Sequence, residues 1–324
     1  MSLHPIAERY IRADNLEDLT LELLDESSAY FAGGTDMIPL QLSGVTSVDT
    51  LVDVKATGLD RSIERDGDQW QIGALTTLAD LEDHEGLADD ISAIRAALRQ
   101  VATRQIRNRA TIGGNLLQRP RCSYFRDAQI DCWMKGGDGC PARDGLTEYL
   151  GVVPNDTPCI AVQPSDLASV LVMAGASVEI SSPRGTRHVD VADLLAVPTP
   201  DRRSLHSLEH GEIIRSVTIP AGNHRRSTYL KAMDRAVWQF ALVGLAASVT
   251  LDDDGTVSKA SLVASGVGAV PHVLSASAAA LVGKPLDATT IGTCAELAVD
   301  GLRPMSDNGY KLSLLAGLVH RSLS

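Results

Sequence analysis

Four of the five cysteines of this chain lie close together in the sequence, as Cys122, Cys132, Cys140 and Cys159. The residues between them are rich in glycine, proline and aspartate, above all at 135–145, a composition that favours turns over helix or strand. A loop of this length inside a compact domain is usually either functional or disordered. The chain must therefore fold around a long segment that carries four thiols.

Several interpretations of these thiols remain open from the spacing alone. Disulfides are disfavoured in a chain without an export signal, because the cytosol keeps thiols reduced. A structural zinc site usually has paired ligands two to four residues apart, and this chain has no such pair. A 4Fe-4S cluster needs four thiolates that converge in space, whatever their spacing. A chance grouping of free cysteines is the fourth possibility, and the isolated Cys294 is interpreted as a small core residue.

Two glycine turns predict a site for a diphosphate. The sequence Ala-Gly-Gly-Thr-Asp occupies positions 32–36, between a short apolar strand and an amphipathic stretch, and Thr-Ile-Gly-Gly-Asn occupies positions 111–115. Successive N–H groups in such turns can point into one concavity that binds anions, and glycine allows a phosphate to approach closely. Either turn alone could be an ordinary Gly-Gly loop without a ligand. The chain has no P-loop motif, and 266–271 lacks the third glycine of a dinucleotide fingerprint.

Charge is distributed unevenly along the chain. The formal net charge is −12, which argues against a general nucleic-acid binder. Around the second glycine turn, however, lie six arginines: Arg104, Arg107, Arg109, Arg119, Arg121 and Arg126. They would balance the negative charge of a pyrophosphate or of a thiolate-ligated cluster, or they form a solvated basic face. His206 and His210 flank Glu209 in a polar connection, and we expect both histidines to be solvated.

Neither a membrane span nor a secretory signal is expected. The longest apolar stretch, near 240–251, is shorter than the roughly 18 residues that a spanning helix needs. The N-terminus lacks the basic start, the apolar stretch and the cleavage site of a secretory signal. We therefore expect a cytoplasmic protein, although a folded partner could carry it elsewhere.

The glycine turns and the cysteine loop together resemble a known family. Residues 32–36, 111–127, 139–140 and 159–166, with Cys132, resemble the FAD-binding medium subunit of the molybdenum hydroxylases, the xanthine dehydrogenase and aldehyde oxidoreductase family. The resemblance extends to the C-terminal stretch 309–321 and so covers essentially the whole chain. It is strongest to the branch with an additional 4Fe-4S cluster, which includes periplasmic aldehyde oxidoreductases and, less closely, 4-hydroxybenzoyl-CoA reductase.

The resemblance implies a role for individual residues. FAD-binding positions would be Ala32, Gly33, Gly34, Thr35, Asp36, Thr76, Thr111, Ile112, Gly113, Gly114, Asn115, Asp166, Ile214 and Lys231. The cluster ligands would be Cys122, Cys132, Cys140 and Cys159. From the residues alone, Asp166 also reads as a helix cap or first-turn acid, and Ile214 as a strand core residue.

The resemblance also implies electron transfer as the function. This chain would hold FAD and the 4Fe-4S cluster, a large subunit would carry the molybdenum cofactor, and a small subunit would carry two 2Fe-2S clusters. An aldehyde or an aromatic heterocycle would be oxidised on the large subunit, and an external acceptor would take the electrons. Two alternatives remain: a self-contained FAD oxidoreductase with a zinc-stapled loop, and a scaffold whose cofactor site has lapsed. The intact glycines count against the scaffold.

The expected fold class is α+β. The resemblance implies a two-part FAD-binding domain, like that of vanillyl-alcohol oxidase, with subdomains at 1–58 and 59–222 and a cluster loop at about 119–162. Residue patterns predict a helix at 91–103, a helix at 165–174 and a hairpin at 178–189. In the C-terminal domain, 223–324, strands at 229–233, 242–251 and 257–265 precede helices at 272–282, 288–301 and 308–322. That order predicts an antiparallel sheet with helices on one face.

Overall fold

The computed structural model describes residues 7–15, 27–222, 226–235 and 238–324. The first sheet is parallel, with the strand order β1-β3-β2. Its strands are β1 (Arg9–Arg12), β2 (Ser28–Phe31) and β3 (Thr50–Asp53). All four residues of the central strand β3 are buried, as expected for a parallel strand covered on both faces. The short helix α1 (Met37–Leu42) begins where the first glycine turn ends, while part of the predicted first subdomain lies outside the described residues.

The second sheet is antiparallel and five-stranded. Its order is β4 (Ile63–Asp66), β5 (Gln69–Gly73), β8 (Ile213–Pro220), β6 (Ser177–Ser182) and β7 (Gly185–Asp190). Strands β6 and β7 form the predicted hairpin. The helices of this part are α2 (Leu78–Asp83), α3 (Glu85–Asp90), α4 (Ser92–Leu98), α5 (Arg104–Arg107), α6 (Ile112–Leu116), α7 (Ser123–Arg126), α8 (Asp166–Met173) and α9 (Val191–Leu194).

Helix α8 lies at the centre of the molecule. Leu167, Val170 and Leu171 are buried in the same hydrophobic cluster as residues of α4, β8 and the third sheet. The helix is apolar on nearly all sides, which is the pattern of a helix enclosed by protein. Its N-terminus is thereby held rigidly beside the glycine turns.

The third sheet lies in the C-terminal part and is antiparallel, in the order β12-β11-β10-β9. Its strands are β9 (Ser227–Ala232), β10 (Val243–Leu251), β11 (Val257–Ser265) and β12 (His272–Val273), and its helices are α10 (Ser275–Leu281), α11 (Ala288–Leu297) and α12 (Tyr310–Leu323). The predicted α+β class is confirmed. The helix expected at 272–282 begins later, because residues 272–273 pair with β11 as an edge strand.

The cysteine loop is folded against both neighbouring parts of the chain. It contains two 3-10 turns, Trp133–Lys135 and Pro141–Asp144. The N–H of Val152 donates to the carbonyl of Val267 at 2.7 Å, and the Asn308 amide donates to the carbonyls of Leu150 and Gly151 at 3.3 and 3.2 Å. The far end of the loop therefore belongs to the same packing unit as the C-terminal helices.

None of the helices in the described ranges is long and apolar enough to cross a membrane. Each of the three sheets lies within one of the predicted segments 1–58, 59–222 and 223–324. The domain boundaries themselves stay a prediction.

The buried amine of Lys311 gives stability a defined pH dependence. Its side chain is fully buried and donates to the carbonyl of Gly266 at 2.6 Å. Burial lowers the pKa of Lys311 from 10.5 to about 7. Between these values the unfolded chain carries a proton that the folded chain lacks, so this group makes the free energy of unfolding rise with pH across the window.

We expect Lys311→Met to remove that contribution. In urea unfolding, wild type should gain stability relative to the variant as the pH rises from about 7 to about 10. Both proteins contain the same other titrating groups. The difference between their free energies of unfolding therefore reports on Lys311 alone. A difference that stays constant over this range would contradict the assignment.

Candidate functional site

The first glycine turn leaves β2 and enters α1 through a backbone that only glycine accommodates. Gly34 has a φ of +74°, in the left-handed region. A Cβ atom on Gly33 would lie 2.0 Å from the carbonyl oxygen of Arg109, just before the second turn. The two glycine turns are therefore in direct backbone contact.

The amides of the first turn are available to a ligand. In the described part of the chain, the N–H groups of Gly33, Gly34, Thr35 and Asp36 donate no hydrogen bond to protein. Successive unpaired amides next to a helix start form a concavity that favours anions. This turn therefore has the geometry expected for a phosphate group.

The second turn is built differently. Its amides are satisfied by protein: Ile112 N–H donates to the carbonyl of Thr76 at 3.0 Å, and Gly113 N–H to the carbonyl of Ala74 at 3.1 Å. The Thr111 hydroxyl caps α6 by accepting from Gly114 N–H at 3.2 Å. This turn contributes shape to the site, since a Cβ on Gly113 would lie 3.2 Å from the carbonyl of Ala74.

A cavity of about 780 Å³ opens between the two turns. That volume lies within the range of small-molecule and cofactor sites. All but two of the predicted FAD-binding residues line it, namely Ala32, Gly33, Gly34, Thr35, Asp36, Thr111, Gly113, Gly114, Asn115, Asp166, Ile214 and Lys231. Thr76 and Ile112 are buried behind the wall, and the Thr76 hydroxyl donates to the carbonyl of Ser62 at 3.2 Å. The main chain of Thr76 supports the second turn, because its carbonyl accepts from Ile112 N–H.

A buried ion pair forms one side of the cavity. The Asp166 carboxylate accepts from the Lys231 amine at 2.7 Å, and both side chains are almost fully buried. The Tyr229 hydroxyl donates to the other carboxylate oxygen at 2.6 Å. Burial, with the neighbouring Asp166 carboxylate, raises the pKa of Tyr229 well above its usual value, so this tyrosine stays protonated. The carboxylate is thus held in place by partners on two sides.

Asp166 is positioned by the start of α8. Ser165 caps the helix by accepting from Ala168 N–H at 3.0 Å, and its hydroxyl donates to the Asn115 side chain at 2.6 Å. Asp166 therefore occupies the first turn of a helix, as the residue pattern indicated. The contact with Asn115 also ties the second glycine turn to α8.

Five of the six arginines around the second turn form two groups, whereas Arg109 meets the first turn through its carbonyl. Arg104 and Arg107 pair with Glu82, at 3.1 and 2.9 Å, away from the cavity. By contrast, Arg119, Arg121 and Arg126 gather at Asp36, and Arg119 and Arg121 line the cavity. Burial lowers the pKa of Arg121 to about 10 and also lowers the pKa of Arg119. Positive charge therefore lies next to the first glycine turn, around Asp36.

Several polar atoms in the cavity wall have no partner in the described structure. They are Arg119 Nε, Arg121 Nε, His206 Nδ1 and Gln239 Oε1. Buried polar atoms without a partner are rare in folded proteins. The residues that carry these atoms line the cavity and give its wall polar side chains.

His206 corrects an expectation from the sequence. The prediction that it is solvated is wrong: it lies in the cavity wall, and burial lowers its pKa to about 4, with Arg119 and Arg202 contributing. It is therefore neutral at physiological pH. No local motif marks this position, because its burial arises from contacts with distant segments. His210, which also borders the cavity, is exposed as expected.

Two aromatic residues at the cavity were also not predicted. Trp238 and Phe240 are 59% and 43% exposed. The Arg121 guanidinium lies over the Phe240 ring at 4.6 Å from its centroid. Large exposed aromatic side chains beside a cavity frequently mark a binding surface.

The four clustered cysteines lie near one another, since the Cys122 and Cys159 thiols both interact electrostatically with Cys132 and Cys140. Cys132 and Cys159 are buried in a cluster that includes Leu40, which itself lines the cavity. Cys122 packs against this cluster and, with Cys140, against a second one. All five cysteines of the chain are free thiols, and Cys294 is buried in the C-terminal core.

Burial and nearby backbone N–H groups act on the pKa of the thiols. Burial, with the other three cysteines contributing, raises the pKa of Cys159 to about 12, and burial also raises the pKa of Cys122. The N–H groups of Tyr124 and Phe125 approach the Cys122 sulfur, and that of Ala161 approaches the Cys159 sulfur. Among the described residues, no three histidine, cysteine or acidic side chains are arranged to hold a single metal ion.

Comparison with known families matches nearly the whole chain. Residues 5–222 match a family described as the FAD binding domain in molybdopterin dehydrogenase. Residues 228–324 match the CO dehydrogenase flavoprotein C-terminal domain.

Individual relatives agree with the family match. The aldehyde oxidoreductase FAD-binding subunit PaoB of Escherichia coli K12 is 37% identical over 231 residues, which cover 71% of this chain and 73% of that protein. The carbon monoxide dehydrogenase medium chain of Afipia carboxidovorans is 24% identical over 300 residues, 92% of this chain and 88% of that protein.

The fold recurs in solved structures. A crystal structure of the Cu,Mo-containing CO dehydrogenase in its cyanide-inactivated form contains a chain that superposes with a TM-score of 0.77, at 23% identity, over 99% of this chain and 97% of that one. The predicted two-part FAD-binding fold followed by an α+β C-terminal domain is thereby confirmed. Taken with the family matches, this places the chain in the molybdopterin dehydrogenase (molybdenum hydroxylase) family, as one of the FAD-binding subunits of its oxidoreductase complexes.

Proposed function

We propose that this chain binds FAD in the cavity between the glycine turns and transfers electrons within a molybdenum hydroxylase complex. The observation that carries the proposal is the first turn: four amides without a protein partner belong to residues that line a cavity, and Arg119 and Arg121, which contact Asp36, line the same cavity. An anion bound there would have both amide and guanidinium donors within reach. A dinucleotide pyrophosphate has the charge and the acceptor oxygens that this arrangement requires.

The remaining predicted residues divide the work of holding the cofactor. Residues 32–36 would bind the pyrophosphate through their amides, while 111–115 would shape the opposite wall. Asp166, Lys231 and Ile214 would border the flavin, where the buried ion pair supplies polar contacts without a net charge. FAD, when bound, supplies the redox chemistry, and the protein supplies its position and electrostatic surroundings. His206, neutral and unpartnered, would offer a further hydrogen bond to the cofactor.

The complex would supply the remaining steps. We propose a large subunit with the molybdenum cofactor, a small subunit with two 2Fe-2S clusters, and an external acceptor that takes electrons from the flavin. The relatives include subunits of an aldehyde oxidoreductase and of a nicotine 6-hydroxylase. Their names support an aldehyde or an aromatic heterocycle as the substrate, oxidised on the large subunit and not on this chain.

For the cysteine loop, we propose a 4Fe-4S cluster ligated by Cys122, Cys132, Cys140 and Cys159. Three features support it: the number of thiols, their common packing region, and the N–H groups directed at two of the sulfurs. In such a cluster each thiolate binds a different iron, so the four sulfurs need not converge on a single ion. Hydrogen bonds to sulfur and burial in the loop would set the reduction potential.

The FAD proposal predicts a large effect at Gly33. In Gly33→Ala, the new Cβ would lie 2.0 Å from the Arg109 carbonyl oxygen, so the two turns must separate. We expect the affinity for FAD to fall by about tenfold or more, which corresponds to at least about 1.4 kcal/mol. Flavin fluorescence titration of the full chain measures this directly.

Gly292→Ala is the matched control, because a Cβ at that position in α11 meets no atom within 4 Å. It should bind FAD as wild type does and keep or slightly increase stability. Wild-type affinity in Gly33→Ala would rule out the turn as the phosphate site.

The cluster proposal predicts that cysteine substitutions remove iron but not flavin. Cys132→Ser replaces a buried ligand and should lose the broad visible absorption and about four irons per chain, with FAD retained. Cys294→Ser, in the C-terminal core, should keep the full iron content. Zinc in the wild-type chain, or unchanged iron in Cys132→Ser, would contradict the cluster.

A further inference from the structure

Asp36 ends the first glycine turn, but its side chain does not serve that turn. It occupies the position before α1 and makes no capping hydrogen bond with that helix. Its carboxylate instead accepts from Arg119 N–H at 2.8 Å, from the Arg126 guanidinium at 2.8 Å and from the Arg121 guanidinium at 2.9 Å. All three donors come from a segment more than eighty residues away.

The same segment holds the first cysteine of the loop. The Arg126 guanidinium, besides meeting Asp36, donates to the carbonyls of Pro120 and Arg119 at 2.7 and 3.1 Å. Arg126 N–H donates to the Cys122 carbonyl at 3.0 Å. Residues 119–126 therefore form a compact unit around Cys122, attached to the first glycine turn through the Asp36 carboxylate.

We infer that Asp36 is a positioning residue that couples occupancy of the dinucleotide site to the conformation of the cysteine loop at 119–126. The inference rests on the proposed binding of FAD in the cavity. It does not depend on which group, if any, the thiols ligate. It assigns to the Asp36 carboxylate a role in joining two sites, and Asp36 also lines the cavity.

The physical basis is that the ligand would touch both sides of the link. Its phosphates would meet the amides of residues 33–36 and the side chains of Arg119 and Arg121, which line the cavity. The Arg121 and Arg126 guanidinium groups and the main-chain N–H of Arg119 surround one carboxylate, so the cluster keeps a net positive charge that a diphosphate neutralises. A ligand shifts an equilibrium only through a difference in its contacts with the two states.

The coupling has a consequence in each direction. Binding of the dinucleotide should order residues 119–126, and an ordered loop should strengthen dinucleotide binding by the same factor. Coupling free energies of this kind typically correspond to about 5-fold to 150-fold changes in affinity. Local opening of residues 119–126 should then be less frequent when the cavity is filled.

Hydrogen–deuterium exchange of the full-length chain, with and without FAD, tests the coupling. In wild type, FAD should slow exchange by about tenfold both in peptides covering 33–36 and in peptides covering 122–127, a segment that does not line the cavity. In Asp36→Asn, which keeps the side-chain shape but removes its charge, FAD should still protect 33–36 but protect 122–127 by less than about twofold. Arg126→Gln, which removes the loop side of the link, should give the same result.

Glu82→Gln is the matched control. Glu82 is also a half-buried carboxylate held by two arginines, Arg104 and Arg107, but its partners lie away from the cavity. This variant should show wild-type protection in both regions. The comparison separates loss of the Asp36 link from the general loss of an arginine-bound carboxylate.

The outcomes distinguish the two proposals. Protection of 122–127 that persists in both Asp36→Asn and Arg126→Gln would overturn the coupling and leave FAD binding intact. Protection of 33–36 without any protection of 122–127 in wild type would do the same. Absence of FAD-dependent protection in both regions of wild type would overturn the proposed function together with the coupling.

Discussion

The contact between Gly33 and the Arg109 carbonyl is the constraint on which the site depends. A Cβ at Gly33 would lie 2.0 Å from that oxygen, so only glycine lets the two turns meet. This contact joins the turn after β2 to the segment that precedes α6. Because the turns touch through backbone, the cavity between them has one wall of free amides and one wall whose amides are internally bonded.

The region around Asp36 is positively charged, although the chain as a whole is acidic. The net formal charge is −12, yet three arginines gather at Asp36. Buried guanidinium groups that lack a full set of partners cost free energy, and a bound diphosphate would offset that cost. On the other side of the cavity, Lys231 and Asp166 neutralise each other. The site therefore presents positive charge at the predicted phosphate position and none in excess at the predicted flavin position.

The sequence predicted the local features of the site but not the long-range ones. The glycine turns were visible because glycine occurs where the backbone requires it, as at Gly34 with its φ of +74°. The strands and helices of the C-terminal part followed from their hydrophobic patterns, except at 272–273, where pairing with a neighbouring strand prevailed over helix propensity. His206 was missed because its burial comes from segments distant in the chain. Likewise, no sequence pattern separated Arg104, which pairs with Glu82, from Arg121, which lines the cavity.

The most direct test of the account is the cofactor content of the unaltered chain. The protein would be purified anaerobically with its partner subunits, separated from them, and analysed for FAD, iron, acid-labile sulfide and zinc. The account predicts about one FAD, about four irons and about four sulfides per chain. FAD without iron would remove the cluster and leave a flavin subunit, whereas a chain without FAD would contradict the central claim.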